Sequence, residues 1–338
     1  MIAIGSGGNK FIELLSAAHE LRNLNPARDW DVLAGISAGA LVAALISMVP
    51  MNDLETFNSD FERARHKFVK DAEASPFRPH IPLGEFANAL FAVLFNKESV
   101  FAGMDDFVDE EFDQKRYSAS ARRLIVGIFD NTHQTYKSVD SKCNGVGIMR
   151  DAILASASVP VAMPAVDIAG IGRCRDGGVC HTIPVKEIKQ FIDENKRAGR
   201  RVHVDLLISD QIQHPPEQRP DPINITGSLL DACTSLVWLN LERDLVELSN
   251  LLGDTRPECD HALHLLRSGT QRNFERHWGT LRVVAPIDLG PRRRVRTRFG
   301  VPRKDVAEAL IEKGARAAME AMMEAAGGDY AEMRMMYG

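Results

Sequence analysis

Apolar residues along this chain occur in two patterns, short continuous runs and longer stretches with helical spacing. The runs 1–5 and 32–34 are apolar throughout, as expected for strands that are covered on both faces. Between them, five apolar residues recur at the spacing of a single helical face: Phe11, Leu14, Leu15, Ala18 and Leu21. The pattern predicts a strand, a helix and a second strand.

The same alternation continues through the rest of the chain. It predicts strands at 123–129, 135–139, 202–208 and 281–285, a strand that ends at Asp176, and helices at 148–156, 185–196, 226–252 and 304–326. Strands that alternate with helices predict an α/β fold, in which three α/β/α layers surround a central, largely parallel sheet. We expect a single domain that comprises residues 1–338.

Residues 51–118 interrupt this alternation with charged, helix-like pieces that are rich in phenylalanine. The aromatic residues of the segment are Phe57, Phe61, Phe68, Phe77, Phe86, Phe91, Phe95, Phe101, Phe107 and Phe112. Because the segment directly follows the helix predicted after residue 39, we interpret it as a helical insertion. We expect it to form a cap beside the candidate active site.

Composition narrows the functional classes. Hydrophobic residues make up 45% of the chain, enough for a large core, and the net charge of −5 disfavours a nucleic-acid-binding role. Five widely spaced cysteines favour free thiols over a zinc site or a disulfide framework, so no metal or organic cofactor is expected. The sequence also lacks the pattern of a secretory signal and any apolar run long enough to span a bilayer, which predicts a cytoplasmic protein.

The first candidate for chemistry is Gly35-Ile36-Ser37-Ala38-Gly39, which lies between a predicted strand and a predicted helix. A serine on such a sharp turn has an exposed hydroxyl, and glycines on both sides let the strand and helix approach closely. The alternative is a plain glycine turn with a serine that caps the helix. The strand–turn–helix context favours a nucleophilic Ser37.

A second glycine-rich turn, at Gly5–Asn9, follows the first predicted strand. Backbone N–H groups of Gly7 and Gly8 could stabilise the negative charge that develops on a carbonyl oxygen during acyl transfer, and Lys10 could add a positive charge. A nucleotide phosphate loop is the competing interpretation. Neither GxxxxGK[ST] nor GxGxxG occurs here, so the spacing favours an oxyanion hole.

The third candidate is Asp176-Gly177-Gly178 at the end of a predicted strand. On its own, an aspartate followed by two glycines is often only a turn. Together with the serine turn and the first glycine loop, it forms a far more specific pattern.

These three motifs resemble those of the patatin-like phospholipase family. The family has a GGGx[KR]G oxyanion loop, a GxSxG serine and a DG[GA] aspartate, which correspond here to 6–11, 35–39 and 176–178. The segments 30–40, 155–160, 176–185 and 310–314 are also similar to family segments, so the resemblance spans nearly the whole chain. Three residues depart from the pattern: Ser6 and Phe11 replace glycines, and Thr182 replaces asparagine.

The resemblance implies a lipid acyl hydrolase in which Asp176 acts directly on Ser37, without a histidine. Its substrates would be phospholipids or glycerolipids. The competing Ser-His-Asp triad would draw on His261, His264 or His277, but the serine turn comes after only one strand, earlier than in α/β-hydrolases. His181 is interpreted as a loop residue. The altered oxyanion loop leaves two alternatives open, a non-catalytic lipid-binding protein and an acyltransferase that uses the same site.

An arginine cluster of five residues stands out in this acidic chain: Arg292, Arg293, Arg294, Arg296 and Arg298. Such a run is commonly a solvated surface. It could also dock on anionic lipid, where each basic residue contributes roughly 1 kcal/mol. We therefore hypothesise peripheral contact with anionic membranes.

We predict that replacing all five arginines with serine weakens binding to anionic vesicles at low salt. High salt should weaken wild-type binding as well, because the Debye length shrinks from about 10 Å at 0.1 M to about 3 Å at 1 M. Liposome co-sedimentation of both proteins at the two salt concentrations measures this. Equal low-salt binding by both proteins would refute a docking role.

Overall fold

The computed structural model describes residues 1–27, 29–70, 104–160, 163–209, 239–241, 243–248, 250–251, 272–274, 279–285 and 304–326. Its strands are β1 (Ile2–Ile4), β2 (Val32–Ile36), β3 (Arg123–Asp130), β4 (Thr135–Asp140), β5 (Val166–Ile168), β6 (Gly172–Asp176), β7 (Val202–Leu207), β8 (Arg272–Phe274) and β9 (Gly279–Val284). Its helices are α1 (Phe11–Leu24), α2 (Ala38–Ser47), α3 (Leu54–Lys70), α4 (Met104–Glu111), α5 (Gln114–Ala119), α6 (Val146–Ala157), α7 (Val185–Arg197) and α8 (Lys304–Ala326). The described residues between 239 and 251 are helical as well.

The nine strands of the described residues belong to one mixed sheet. Its five central strands are parallel, in the order β3-β2-β1-β7-β9. Strands β4, β5, β6 and β8 pair antiparallel at the margins. The predicted α/β fold with a central, largely parallel sheet is confirmed.

The register on β3 brings two distant parts of the chain together. β4 pairs with 125–130 of β3, β2 pairs with 123–127, and β6 pairs with 128–130. A strand has only two edges, and β4 occupies one of them along these residues. β2 and β6 therefore share the other edge end to end, so β6 meets β3 where β2 leaves the sheet.

The strands bury alternate residues on the two faces of the sheet. Ile2 and Ile4 lie in a core cluster with α1, α2 and α6, which we call the first face. Met1 and Ala3 lie in a separate cluster with α7 and the helical residues of 239–251, the second face. Two cores on either side of one sheet give the three layers, and this alternation is the period of two that a strand imposes.

Helices α1 and α8 form the closest helix pair of the first face. The apolar residues that predicted α1 are all buried, and Leu310, Ala317 and Ala321 of α8 are buried with them. The hydroxyl of Ser16 donates a hydrogen bond of 2.7 Å to the carbonyl oxygen of Ile311. The helices come close because α8 presents Gly314 to the backbone of α1.

The described parts of the predicted insertion 51–118 are helical. Phe57, Phe61, Phe107 and Phe112 of α3, α4 and the residue after α4 are buried in the core of the first face. Residues 71–103 lie outside the described part of the chain. The same holds for the N-terminal half of the predicted helix 226–252 and for the arginine cluster.

We predict that Gly314→Ala destabilises the protein, although alanine normally stabilises a helix by about 1 kcal/mol relative to glycine. A Cβ at this position would lie 2.1 Å from the carbonyl oxygen of Glu13, so α8 would have to move away from α1. Overpacking of this kind costs roughly 1–3 kcal/mol. Chemical unfolding measures the change.

Gly147→Ala in α6 is the matched control, because a Cβ there meets no atom within 4 Å. This variant should be neutral or slightly stabilising. A Gly314→Ala protein that is as stable as the Gly147→Ala protein would contradict the close approach of α1 and α8.

Candidate active site

Ser37 occupies a strained turn between β2 and α2. Its φ of 58° and ψ of −128° lie outside the regions that non-glycine residues usually adopt. A Cβ on Gly35 would lie 2.3 Å from the carbonyl oxygen of Gly39, and one on Gly39 would lie equally close to that of Ile4. Both flanking glycines are therefore required by space, and strain at one serine is typical of a functional site.

A buried serine on α6 holds this turn in place. The backbone N–H of Ser37 donates to the hydroxyl oxygen of Ser156 at 2.9 Å, and that hydroxyl donates to the carbonyl oxygen of Gly127 at 2.7 Å. Ser37 itself is only 3% exposed, so the exposed hydroxyl that the turn predicted is instead buried in this structure. The turn is thus tied to β3, the strand that also carries β6.

Asp176 reaches Ser37 through the shared edge of β3. Ile36, the last residue of β2, pairs with Gly127, and Asp176, the last residue of β6, pairs with the adjacent Ile128. The Asp176 side chain accepts a hydrogen bond of 2.7 Å from the N–H of Gly178, and the nearby Ser37 side chain acts to lower the pKa of the Asp176 carboxyl. Sequence reasoning proposed this pair as nucleophile and base, and the strand register places the two residues beside adjacent residues of β3.

Burial dominates the electrostatics of Asp176. The residue is 4% exposed, and loss of solvation raises the pKa of its carboxyl to about 7, while the hydrogen bonds from Gly178 and Ser37 act in the opposite direction. Gly177 and Gly178 form a single 3-10 turn with Val179, directly after Asp176. A Cβ on Gly177 would lie 2.5 Å from the carbonyl oxygen of Gly127, so this turn also packs against β3.

The first glycine loop lies beside the serine turn. A Cβ on Gly7 would lie 3.6 Å from the Cβ of Ala38, the residue after Ser37. Gly8 has a φ of +52°, which favours glycine, and a Cβ there would face open space. Lys10 is buried at the end of this turn and directly precedes α1. Gly7 of this loop thus lies next to the serine turn.

The three departures from the family pattern have distinct environments. The N–H of Ser6 donates to the carbonyl oxygen of Thr182 at 2.8 Å, which links the glycine loop to the segment after Asp176. Phe11 is fully buried and meets Phe107 of α4 edge to face, with ring centroids 6.1 Å apart. A glycine at residue 11 would lack this aromatic contact with the insertion.

The hydrogen bond of the His181 side chain is with Asp244 rather than with Ser37 or Asp176. Its Nδ1 lies 2.7 Å from Oδ1 of the fully buried Asp244, and its ring packs against Tyr136. The remaining triad candidates, His261, His264 and His277, lie outside the described residues.

One group of side chains has the composition of a metal site. His181, Asp244 and Glu247 offer ligand atoms that all lie within 4.8 Å of one another. However, a guanidinium nitrogen of Arg243 lies 3.3 Å from Oδ1 of Asp244 and 3.4 Å from Nδ1 of His181. A positive charge at this point disfavours a metal cation.

Sequence reasoning missed two kinds of residue around the site. In the sequence, Ser156 is recognisable only as part of a segment similar to the family. A serine within an apolar helix gives no sign of which backbone groups its hydroxyl bonds. Asn240 and Asp244 were missed entirely. Two polar residues among buried Leu241, Leu245 and Leu248 were the available signal, since a buried charge needs a specific partner.

The fold and the site together define an α/β protein with a strained serine turn, a buried carboxylate and an adjacent glycine loop. Residues 2–188 match the model of the family described as patatin-like phospholipase. The match covers more than half of the chain, and the chain belongs to the patatin-like phospholipase family. Membership of this family indicates a hydrolase that acts on lipid esters. Comparison with curated proteins gave no match.

Within the described residues, no helix combines the length and the apolar character needed to cross a membrane.

We predict that Asp176→Asn stabilises the protein relative to wild type, and more at pH 8 than at pH 5. The folded-state pKa of about 7 lies above the unfolded value of about 3.9, so the stability that protonated Asp176 contributes is lost as pH rises towards 7 and beyond. Asparagine resembles the protonated form at every pH. The advantage should grow by at most about 3 kcal/mol between the two pH values.

Urea unfolding of both proteins at pH 5 and pH 8 measures this difference. Asp167→Asn is the control, because Asp167 is exposed and its carboxylate stays in water in both states. An Asp176→Asn advantage that is the same at both pH values would show that Asp176 is not a buried, raised-pKa carboxyl.

Proposed function

We propose that the protein hydrolyses carboxylic esters of phospholipids or glycerolipids through an acyl-serine intermediate, with Ser37 as nucleophile and Asp176 as the only base. The observation that carries this proposal is the placement of two buried residues, Ser37 directly after β2 and Asp176 at the end of β6, beside adjacent residues of β3. The family to which the chain belongs supports a lipid substrate.

In the first half-reaction, Oγ of Ser37 forms a bond to the ester carbonyl carbon, and its proton moves to the Asp176 carboxylate. Collapse of the tetrahedral intermediate breaks the bond to the alcohol, which takes the proton from Asp176. Water then attacks the acyl-serine and gives a proton to Asp176. That proton returns to Oγ of Ser37 as the fatty acid leaves.

The tetrahedral intermediates carry negative charge on the former carbonyl oxygen. The N–H groups of Gly7 and Gly8 are the proposed donors to this oxygen, and Lys10 adds a positive charge to the same loop. Loss of one such donor typically costs about 3–4 kcal/mol of barrier height. The N-terminus of α2 contributes its positive dipole end next to Ser37.

A lone aspartate is a weak base at its ordinary pKa of about 3.9. Burial of Asp176 removes this difficulty, because a pKa of about 7 matches the pH at which a general base is most effective. The active form is the carboxylate. Activity accordingly rises with pH through about 7 and levels off above it.

The insertion 51–118 is the proposed cap that contributes to lipid entry. The contact between Phe107 of α4 and Phe11 supports this role, because Phe11 directly follows Lys10 of the oxyanion loop. Peripheral contact with anionic membranes through the arginine cluster remains part of the same proposal.

We predict that Ser37→Ala and Asp176→Asn each abolish hydrolysis of a short p-nitrophenyl ester while both proteins remain folded. His261→Ala, His264→Ala and His277→Ala should each keep the activity of wild type, because the proposed base is not a histidine. Steady-state kinetics, with circular dichroism to establish folding, measures all five variants. A folded but inactive variant at any of these histidines would favour a triad.

Labelling with a fluorophosphonate probe, followed by mass spectrometry of the adduct, tests the nucleophile independently. Modification of Ser37 in wild type, and its loss in Asp176→Asn, is expected. A protein that binds lipid vesicles but neither labels nor hydrolyses would instead be a non-catalytic lipid-binding protein. Formation of a new ester between the acyl group and an added alcohol would indicate acyl transfer.

A further inference from the structure

The described residues between 239 and 251, which are helical, lie beyond the family match at 2–188, yet they contact the segment that follows Asp176. Two of their side chains make these contacts, Asn240 and Asp244. Asn240 is 6% exposed and Asp244 is fully buried. Buried polar side chains of this kind need specific partners, and here both find them in the backbone that follows Asp176.

Asn240 holds the 3-10 turn directly after Asp176. Its Nδ2 donates to the carbonyl oxygen of Val179 at 2.7 Å and to that of Gly178 at 3.2 Å. The N–H of the same Gly178 donates to Oδ1 of Asp176. A single side chain therefore fixes the two peptide units that directly follow the one whose N–H bonds the carboxyl.

Asp244 holds the next part of the same segment. Its Oδ2 accepts hydrogen bonds from the N–H of Thr182 at 2.6 Å and from the N–H of Ile183 at 3.0 Å, and it lies 3.2 Å from the Thr182 hydroxyl. Its Oδ1 contacts His181. Charge-assisted bonds to backbone N–H groups are stronger than neutral ones, so this segment is held firmly.

The segment in turn holds the glycine loop. The carbonyl oxygen of Thr182 accepts the N–H of Ser6, the residue before Gly7. A Cβ on Gly178 would lie 3.4 Å from the hydroxyl oxygen of Ser6, so the two loops also touch side by side. Asn240 and Asp244 thus reach both the base and the proposed oxyanion donors through one short chain of hydrogen bonds.

We propose that Asn240 and Asp244 are positioning residues that hold the Asp176 turn and the Gly7–Gly8 loop in their relative places. We call this pair the clamp. The inference rests on the proposed function of Ser37 and Asp176. It also assigns a role to Thr182, whose backbone bonds both Ser6 and Asp244 and whose hydroxyl bonds Asp244.

Loss of the clamp has a distinct electrostatic consequence. In the described part of the chain, the pKa of Asp176 is set by burial and by hydrogen bonds from Gly178 and Ser37, with no charged side chain among its causes. Relaxation of the turn weakens the Gly178 bond, which favours the carboxylate. The pKa of Asp176 then rises, and the acidic limb of the pH–activity profile moves to higher pH.

The test is the Asn240→Ala variant of the full chain, assayed on a p-nitrophenyl ester from pH 5 to pH 9. Rates are expressed per site that reacts with a fluorophosphonate probe, so that unfolded protein is not counted. We expect kcat to fall by about 10- to 100-fold, since small displacements of catalytic groups have effects of this size. KM should change little, and the acidic limb should move to higher pH.

Asn250→Ala is the matched control, because it makes the same substitution at an exposed position of the same helical residues. It should behave as wild type. Asp244→Asn is a second variant that keeps the volume of the side chain and one oxygen acceptor, and it should lower kcat and move the acidic limb in the same direction. If Asn240→Ala does not fold, the Asp244→Asn variant tests the clamp in its place.

If wild type labels at Ser37 but the clamp variants have the kcat and acidic limb of Asn250→Ala, the clamp is overturned and the proposed function stands. A fall in kcat without movement of the acidic limb, or with movement to lower pH, would also overturn it, because general loosening of the fold admits water to Asp176 and lowers the pKa that burial raises. A wild-type protein that neither labels at Ser37 nor hydrolyses esters would overturn the proposed function and the clamp with it.

Discussion

The arrangement of the site depends on one constraint, the single edge of β3 that β2 and β6 share. β4 occupies the opposite edge, so β6 can pair with β3 only beyond the residue where β2 ends. The chain leaves the sheet at Ser37 and returns at Asp176 on the neighbouring residue of β3. Two residues that are far apart in sequence therefore meet without any long side chain to bridge them.

The same arrangement concentrates unfavourable energy at the site. Ser37 has a backbone conformation that typically costs of order 1–3 kcal/mol, and Asp176 has lost most of its solvation. The surrounding contacts offset these costs. Ser156 bonds the Ser37 backbone to β3, and the N–H of Gly178 compensates part of the burial of Asp176. The burial that suits Asp176 to the proposed role of a base near neutral pH also makes the folded protein less stable at that pH.

Local patterns in the sequence predicted much of this structure. Burial determines the helical spacing in α1 and α8 and the apolar runs of β1 and β2, and it can be inferred from each segment by itself. Helix α8 begins and ends at the residues that its pattern predicted. Gly35, Gly39 and Ser37 could be predicted because a tight turn demands particular residues. The mixed sheet, with β6 on the edge that β2 vacates, could not, since pairing between distant strands leaves no mark on either one alone.

Asn240 and Asp244 show the same limit at the level of single side chains. Their partners are backbone groups of Gly178, Val179, Thr182 and Ile183, and any residue type presents the same carbonyl oxygens and nearly the same N–H groups. The partner segment therefore carries no sequence signature of the contact. The sequence does show that a carboxylate and an amide lie among leucines, which are buried against the second face of the sheet. Burial of these two polar groups costs solvation free energy. The lost solvation of a buried polar residue has to be compensated by hydrogen bonds. Here the hydrogen bonds are made with the segment between the candidate base and α7. The second face of the sheet is thus coupled to chemistry that the family motifs place at the ends of β1, β2 and β6.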